Sequence, residues 1–206
     1  MFTGLIREIA DVKSFKNNIL TLNSNLHPKL GDSIATNGVC LTVIATNAYN
    51  FSVEVSTETK AIIPPQKFQN QVHIEPAMML NDRFEGHIVQ GHIDTIGEVV
   101  SIQSKSNGVD IIIKVPPSKI AYIIPKGSIT IDGISLTIND VYSDSFRLTI
   151  IPHTMQNTLI KTYKIGTKVN IETDLFARYI DHILTHRQNT KRSIGWDEID
   201  AMSMSY

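Results

Sequence analysis

Apolar and polar residues alternate along two stretches of the chain that occupy equivalent places in a longer repeat. Residues 51–55 read FSVEV and residues 146–150 read FRLTI, with every second position apolar. A period of two residues predicts a β-strand that buries one face. Further short apolar segments, such as 111–113, are bounded by turn-forming residues. The chain is therefore predicted to be built from many short strands.

A repeat organises these strands into two copies. Residues 31–43 read GDSIATNGVCLTV and residues 126–138 read KGSITIDGISLTI, at an offset of 95. At the start of each copy the offset is 87, where GLI at 4–6 corresponds to GHI at 91–93. Self-similarity of this kind indicates two structural units of the same fold.

The ends of the copies complete the predicted architecture. VHIE at 72–75 corresponds to VNIE at 169–172, so each copy spans roughly 87 residues with about six strands. Short, evenly spaced strands favour a closed barrel, because a barrel leaves no exposed edge. We predict an all-β chain of two homologous six-stranded Greek-key barrels in tandem plus a C-terminal α-helix. The predicted boundaries are 1–85 and 86–172 for the barrels, 173–188 for the helix and 189–206 for a tail.

The pattern changes after residue 172. Apolar pairs recur every four residues at 175–176, 179–180 and 183–184, which is the spacing of one helix face. Thr173 or Asp174 is a candidate N-cap. The chain offers no second helix to cover this face, so we expect the helix to dock on a barrel or on copies of itself.

Charge and composition exclude several functions. The 206 residues carry 19 Lys and Arg against 20 Asp and Glu, a net charge of −1, which argues against binding nucleic acid through its phosphates. A single cysteine, Cys40, rules out an internal disulfide and a multi-cysteine zinc site. The sequence has neither a secretory signal nor an apolar run near the ~20 residues of a membrane span. We expect a cytoplasmic protein with no membrane or nucleic-acid partner.

The repeated element N/D-G-x-C/S-L-T is the first candidate for chemistry. Beyond its glycine, Cys40 and Thr42 share one strand face and Leu41 lies on the other, and Ser135 and Thr137 repeat the arrangement. A turn whose hydroxyls satisfy backbone groups would carry the same residues. Occurrence in both copies favours twin ligand pockets lined by hydrogen-bonding groups.

A second element, GHIVQGHI at 86–93, contains His92, a candidate general base. Two histidines five residues apart without a carboxylate or cysteine cluster disfavour a metal site. A half-buried imidazole with a backbone partner is the alternative to a catalytic role. The counterpart of His92 in the first copy is Leu5, so the two pockets are expected to differ.

Polar residues also close each copy, in EVSTET at 54–59 and IIPHTM at 150–155. These segments suit either a grip on a polyhydroxylated ligand or a solvated loop, and polar loops at strand ends are common. Lys126 is likewise either a surface lysine or a ligand contact.

Taken together, the start MFTGLI, the two N/D-G-x-C/S-L-T elements and the GHIVQGHI segment resemble the riboflavin synthases of the alpha-chain type, from Met1 to about His186. The resemblance implies two barrels that each bind one lumazine and a C-terminal helix that assembles a homotrimer. It also implies a transferase that dismutates two molecules of 6,7-dimethyl-8-ribityllumazine. One molecule gives a four-carbon unit to the other, which yields riboflavin and 5-amino-6-ribitylaminouracil. No metal or redox cofactor is implied, and the active site is expected between the N-terminal barrel of one subunit and the C-terminal barrel of its neighbour.

The resemblance also implies roles for individual residues. His92 and Ser135 would handle the acidic methyl proton or the addition of water or a hydroxyl to the ring, and Cys40 would assist at the opposing ring. Asp132 would orient Ser135 or Thr137. We expect His92, Ser135 and Thr137 on one side of the reaction, and Cys40 and Thr42 on the other.

A larger set is implied to contact the lumazine. It comprises Gly4, Leu5, Ile6, Cys40, Leu41, Thr42, Glu54, Val55, Ser56, Thr57, Glu58, Thr59, Gly91, His92, Ile93, Lys126, Ser135, Leu136, Thr137, Ile150, Ile151, Pro152, His153, Thr154 and Met155. Two positions depart from the family pattern: His153 stands where an acidic residue is common, and Lys60 replaces an aliphatic residue.

Two other classes of protein compete with the enzyme. A non-catalytic lumazine or flavin carrier would share the fold, and a bioluminescence accessory protein does so. A pair of oligonucleotide-binding barrels is disfavoured by the charge balance and by an aromatic content of only 7%. The presence of Cys40, Ser135 and His92 favours the enzyme.

Overall fold

Twelve strands and three helices make up residues 1–190, the part of the chain that this computed structural model describes. The first barrel comprises β1 (Glu8–Lys16), β2 (Ile19–Asn23), β3 (Ser33–Thr36), β4 (Val39–Thr46), β5 (Asn50–Glu54) and β6 (Gln71–Pro76). The second comprises β7 (Thr95–Lys105), β8 (Gly108–Lys114), β9 (Ser128–Ile131), β10 (Ile134–Val141), β11 (Ser145–Ile150) and β12 (Lys168–Thr173). The helices are α1 (Thr57–Ile62), α2 (Pro152–Asn157) and α3 (Leu175–Thr190), with 3-10 turns at Pro65–Phe68, Pro117–Tyr122 and Leu159–Thr162.

Both sheets close into antiparallel barrels with the same strand order. The first runs β1-β2-β5-β4-β3-β6 and closes through β1 and β6, and the second has β7 to β12 in the equivalent places. Because β3, β4 and β5 are joined by hairpins and β6 returns beside β3, each barrel contains a Greek key. The prediction of two six-stranded Greek-key barrels is confirmed. Bulges after Val12 and Val43 recur after Val99 and Ile138, and they bend equivalent strands.

Alternating apolar residues fill the interior of each barrel. On β5 and just beyond it, Phe51, Val53 and Val55 are fully buried, and Phe146, Leu148 and Ile150 occupy the equivalent places on β11. The β4 strand follows the predicted faces as well, since Leu41 is buried while Thr42 is exposed.

The two barrels contact each other at matched residues. The backbones of Phe2 and Val89 exchange two hydrogen bonds of 2.8 and 3.1 Å. Gly38 and Gly133 also abut, so closely that a Cβ on Gly38 would lie 2.7 Å from the backbone nitrogen of Gly133. Because the members of each pair are repeat equivalents, an approximate two-fold axis passes between the barrels.

The C-terminal helix leaves most of its apolar side chains exposed. Its first turn is capped by Asp174, whose Oδ1 accepts a 2.8 Å hydrogen bond from the backbone N–H of Phe176. Phe176, Tyr179 and Ile180 are each more than half exposed, and Ile183 and Leu184 continue the stripe. Within residues 1–190, no helix is long and apolar enough to cross a membrane. Residues 191–206 of the predicted tail lie outside the part of the chain that the structure describes.

Candidate functional site

Each barrel carries a cavity at its N/D-G-x-C/S-L-T element. The first cavity, about 420 Å³, is lined by Val39 and Cys40 at the start of β4, by α1 and the residue after it, and by the segment 91–93. The second, about 320 Å³, is lined by Ile134 and Ser135 at the start of β10, by α2 and the residue after it, and by the segment 4–7 with Glu85. The two cavities are therefore equivalent places in the two copies.

One wall of each cavity comes from the start of the other copy. The N–H of Cys40 donates to the carbonyl of Gly91 over 2.9 Å, and the N–H of Ser135 donates to the carbonyl of Gly4 over 2.8 Å. Both glycines have φ near +80°, and a Cβ on either would lie 2.6 Å from the Cβ of its partner. The entering segments are thus exchanged between the barrels, and neither barrel forms its cavity alone.

Two buried carboxylates anchor these exchanged segments. Glu75 on β6 accepts from the N–H groups of Thr3 (2.8 Å) and Gly4 (3.1 Å), and from the hydroxyl of Thr3 (3.0 Å). Glu172 on β12 accepts from the N–H groups of three consecutive residues, Gln90, Gly91 and His92, at 2.7 to 3.1 Å. Burial raises the pKa of both carboxyls, while the N–H donors oppose that shift.

His92 lies in the first cavity, on the same wall as Gly91, and its side chain is exposed. Within one chain it therefore faces Cys40 and not Ser135. The expectation that His92 shares a side with Ser135 and Thr137 is wrong, because the exchange of segments carries His92 to the opposite barrel.

The imidazole beside Ser135 belongs to His87. Its Nδ1 lies 2.7 Å from Oγ of Ser135, and the ring is buried. Burial lowers the pKa of His87, against the effect of the nearby Asp174 charge, and so favours the neutral ring. A neutral imidazole in contact with a hydroxyl can take its proton, so this pair can act as a base and a polarised hydroxyl.

Asp132 serves the junction between the barrels instead of the second cavity. Its carboxylate accepts from Nζ of Lys67 at 2.7 Å and from the hydroxyl of Tyr163 at 2.6 Å, and it also accepts from the backbone N–H of Asn170. The expectation that Asp132 orients Ser135 or Thr137 is wrong. Burial, together with the charge of Asp132, raises the pKa of Tyr163 well above its usual value.

The other predicted contacts divide into three groups. Leu5, Ile6, Glu58, Thr59, Ile93, His153 and Thr154 line one of the two cavities. Leu41, Val55 and Ile150 point into the barrel interiors, Leu136 packs against the second core, and none of these four lines either cavity. Thr42, Glu54, Ser56, Thr57, Lys126, Thr137, Ile151 and Pro152 are exposed, Met155 is half-buried against the core, and none of these nine lines either cavity.

Three kinds of residue that build the candidate site were not predicted from the sequence. His87 opens the same GHIVQGHI segment as His92, but nothing in one sequence indicates that it meets a serine 48 residues away. Glu75 and Glu172 are visible as equivalent residues of the repeat, although their role depends on the exchange of segments. Ile62 and Asn157 line the cavities from α1 and α2.

The fold and the paired cavities define a tandem ligand-binding barrel protein, and comparison with known proteins names its class. A family model described as the lumazine binding domain matches residues 3–77 and again residues 90–174. A solved structure of LumP complexed with 6,7-dimethyl-8-(1'-D-ribityl) lumazine superposes with a TM-score of 0.71 at 20% identity, over 84% of this chain and 99% of that one. That likeness concerns the fold.

Sequence relatives identify the family within this class. The chain is 41% identical over 194 residues to riboflavin synthase of Photobacterium phosphoreum, covering 89% of each chain. It is 43% identical over 195 residues to riboflavin synthase of Actinobacillus pleuropneumoniae, covering 89% of this chain and 90% of that one. The chain belongs to the riboflavin synthase family.

Proposed function

We propose that this protein catalyses the dismutation of two molecules of 6,7-dimethyl-8-ribityllumazine. One molecule transfers a four-carbon unit to the other, and the products are riboflavin and 5-amino-6-ribitylaminouracil. The observation that carries this proposal is the pair of equivalent cavities with unequal side chains. All atoms of the two substrate molecules appear in the two products, so the reaction itself calls for no external oxidant or reductant.

A reaction between two copies of one molecule needs two similar sites with different chemistry. The shared frame supplies similarity, since the N–H of Cys40 or Ser135 is fixed to a glycine of the other copy in both cavities. The side chains supply the difference, with Cys40 and His92 in the first cavity and Ser135 with His87 behind it in the second. Holding both reactants in place contributes as much as ~7–11 kcal/mol to lowering the barrier in favourable cases.

The roles follow from what each cavity offers. Ser135 polarised by His87, together with His92 from the opposing cavity, removes the methyl proton and directs the addition of water or a hydroxyl to the ring. Cys40 assists at the other ring. Thr59 and Glu58 in the first cavity, and Thr154 in the second, hold ribityl hydroxyls or ring carbonyls through hydrogen bonds.

We further propose that the protein is a homotrimer whose active sites lie between subunits. The two cavities of one chain share no lining residue, which favours an arrangement in which the first cavity of one subunit opens onto the second cavity of its neighbour. The exposed apolar stripe of α3 supports this assembly, because such a stripe is covered when helices from different subunits pack together.

We place the protein in the cytoplasm. Its only cysteine, Cys40, is a free thiol that lines the first cavity. A reducing compartment preserves such a thiol.

Turnover of the lumazine tests the proposed reaction. Purified protein incubated with 6,7-dimethyl-8-ribityllumazine, with nothing else added, is expected to form riboflavin, with two lumazines consumed for each riboflavin. Absorbance of riboflavin and chromatography of both products measure this. Tight binding without turnover would instead identify a lumazine carrier.

Substitutions on α3 test the assembly. Lysine at both Ile180 and Ile183 is expected to convert the trimer to monomers and to abolish most activity, because it places charge on the exposed apolar stripe. Tyr49→Lys is the matched control, since Tyr49 is 80% exposed on the turn between β4 and β5. Light scattering and the activity assay give both readouts, and a fully active monomer contradicts the intersubunit site.

A further inference from the structure

Glu75 and Glu172 are the clearest buried groups that the proposed chemistry leaves unused. They occupy equivalent places on β6 and β12, and their exposed fractions are 3% and 1%. Burying a charged carboxylate costs several kcal/mol unless hydrogen bonds compensate for the lost water. Each of these carboxylates accepts three hydrogen bonds from one short segment, which indicates that fixing the segment is their role.

The anchored segments build walls for the opposite barrels. Glu75 stands in the first barrel and holds Thr3 and Gly4, but Gly4 lines the second cavity and its carbonyl accepts from Ser135. Glu172 stands in the second barrel and holds Gly91 and His92, which line the first cavity beside Cys40.

We propose that Glu75 and Glu172 are positioning residues that act across the barrel boundary, each shaping the cavity of the barrel to which it does not belong. Glu172 sets the distance of the Gly91–His92 wall from Cys40, and Glu75 sets the distance of the Gly4–Ile6 wall from Ser135. This positioning role rests on the proposed function solely for the identity of the ligand.

Glu75 and Glu172 differ in the further side chains that contact them. Glu172 lies 3.5 Å from the guanidinium of Arg178 on α3, and Arg178 also contacts Asp94 and Gln90 at 3.1 Å. Within residues 1–190, Glu75 is held by N–H and O–H donors alone. The exchanged wall of the first cavity is thus connected to α3 through Glu172 and Arg178, while the exchanged wall of the second cavity is anchored to the first barrel through Glu75.

A purely structural role predicts a different outcome from a crossed positioning role. If each glutamate merely stabilised its own barrel, its loss would disturb the cavity of that barrel, so Glu75 would matter to Cys40. If the glutamate positions the exchanged segment, its loss disturbs the other cavity, so Glu172 would matter to Cys40. The direction of the effect separates the two roles.

The single cysteine reports on the first cavity without any ligand. A Cβ on Gly91 would lie 2.6 Å from the Cβ of Cys40, so this wall packs against the half-buried cysteine, and loosening it is expected to make the thiol more accessible. Glu172→Gln replaces one carboxylate oxygen, which accepts hydrogen bonds, with an amide N–H₂ group, which only donates them. At least one backbone N–H of the anchored segment therefore loses its acceptor. The substitution is expected to speed alkylation of Cys40 by iodoacetamide at least tenfold, while Glu75→Gln changes the rate less than twofold. In a Cys40→Ser, Ser135→Cys background the order is expected to reverse at the introduced thiol.

Ligand protection gives a second readout at the same thiols. Adding 6,7-dimethyl-8-ribityllumazine is expected to slow labelling at both, with a dissociation constant raised at least tenfold in the crossed variant only. If lumazine protects neither thiol, the proposed function fails while the ligand-free labelling still tests the anchors. Same-barrel effects, or equal effects of both variants at both thiols, overturn the inference. Should either Gln variant not fold, Glu75→Asp and Glu172→Asp keep the charge with a shorter reach, and the same crossed order is expected of them.

Discussion

The two barrels share one backbone plan and differ in the side chains that face their cavities. In each barrel the backbone N–H of Cys40 or Ser135 donates to the carbonyl of a glycine in the other copy. A buried glutamate accepts a hydrogen bond from the N–H of that glycine in both cases. The first cavity nevertheless presents Cys40 and His92, while the second presents Ser135. The duplicated chain has kept the backbone frame of the cavity and changed the side chains that line it.

A second difference lies at the junction of the barrels. His73 donates from Nδ1 to the carbonyl of Asp132 over 3.0 Å and accepts at Nε2 from the N–H of Leu159 over 2.7 Å. Its equivalent, Asn170, donates to the carbonyl of Asn37 over 2.8 Å, but its Oδ1 has no donor among the described residues. The position in the first barrel that corresponds to Leu159 is Pro65, and it follows another proline, Pro64. Proline has no backbone N–H, so the first barrel has no equivalent donor for Asn170.

The largest expected effect is a difference in kcat between substitutions in the two cavities. Ser135→Ala is expected to lower kcat about 100-fold, because it removes the hydroxyl that His87 polarises. Cys40→Ser keeps a small polar group in the first cavity and is expected to cost tenfold or less. Steady-state kinetics with the lumazine measure both, and equal losses would contradict the unequal roles. His87→Gln added to Ser135→Ala is expected to cause little further loss, since the two side chains act as a unit.

Glycine substitutions test whether the exchanged segments form the cavities. Gly4→Ala and Gly91→Ala are expected to destabilise the protein by about 3 kcal/mol, from left-handed backbone strain plus a clash with Ser135 or Cys40. Gly31 and Gly166 also have positive φ but would meet nothing within 4 Å, so their alanine variants carry only the strain of about 1 kcal/mol. Urea unfolding compares the four variants, and equal losses would show that the close approach is unimportant.

A pH titration tests the asymmetry at the junction. Burial lowers the pKa of His73 from its ordinary 6.5, more than the Asp132 charge raises it, and Lys67 lowers it further. The stability contributed by neutral His73 is therefore present above pH 6.5 and is lost as pH falls from 6.5 towards the lower folded-state pKa, by up to ~1.4 kcal/mol per pH unit.

The variant His73→Asn copies the second barrel into the first. It is expected to lose about 1–2 kcal/mol at pH 8, because the N–H of Leu159 loses its acceptor. It is also expected to show a flatter dependence of unfolding free energy on pH between 5 and 6.5 than the parent protein. Parallel pH profiles would mean that His73 does not titrate with folding.

The smallest effect concerns the outer face of the second barrel. Arg147 pairs with Asp140 and, at 3.2 Å, with Asp110, whereas the equivalent Ser52 has only a 2.9 Å contact with Thr21. Arg147→Ser is expected to cost at most about 1 kcal/mol, and less in 1 M salt, because ion pairs that remain partly open to solvent are weak and screened. A larger loss that salt leaves unchanged would point to packing by the arginine stem.

The sequence predicted what depends on local patterns. The alternation at 51–55 and 146–150 and the matched glycine turns predicted the two barrels and the strand face on which Cys40 lies. The four-residue spacing of apolar pairs predicted the helix that begins at Leu175. Partners across the junction were not predictable. Asp132 meets Lys67 across the junction over 65 sequence positions, and His87 meets Ser135 over 48 positions within the second copy. Contacts between residues so far apart leave no local pattern in the sequence.

Mixing two impaired proteins tests most directly whether unequal cavities on neighbouring subunits form one reaction centre. Ser135→Ala retains an intact first cavity, and the double variant Cys40→Ala, His92→Ala retains an intact second cavity. Coexpressed at equal levels and purified as one pool through a tag common to both, they are expected to recover about one quarter of the parent activity, because half of the first cavities and half of the second are intact and meet at random. Activity no higher than the mean of the separate variants would contradict a centre shared between subunits.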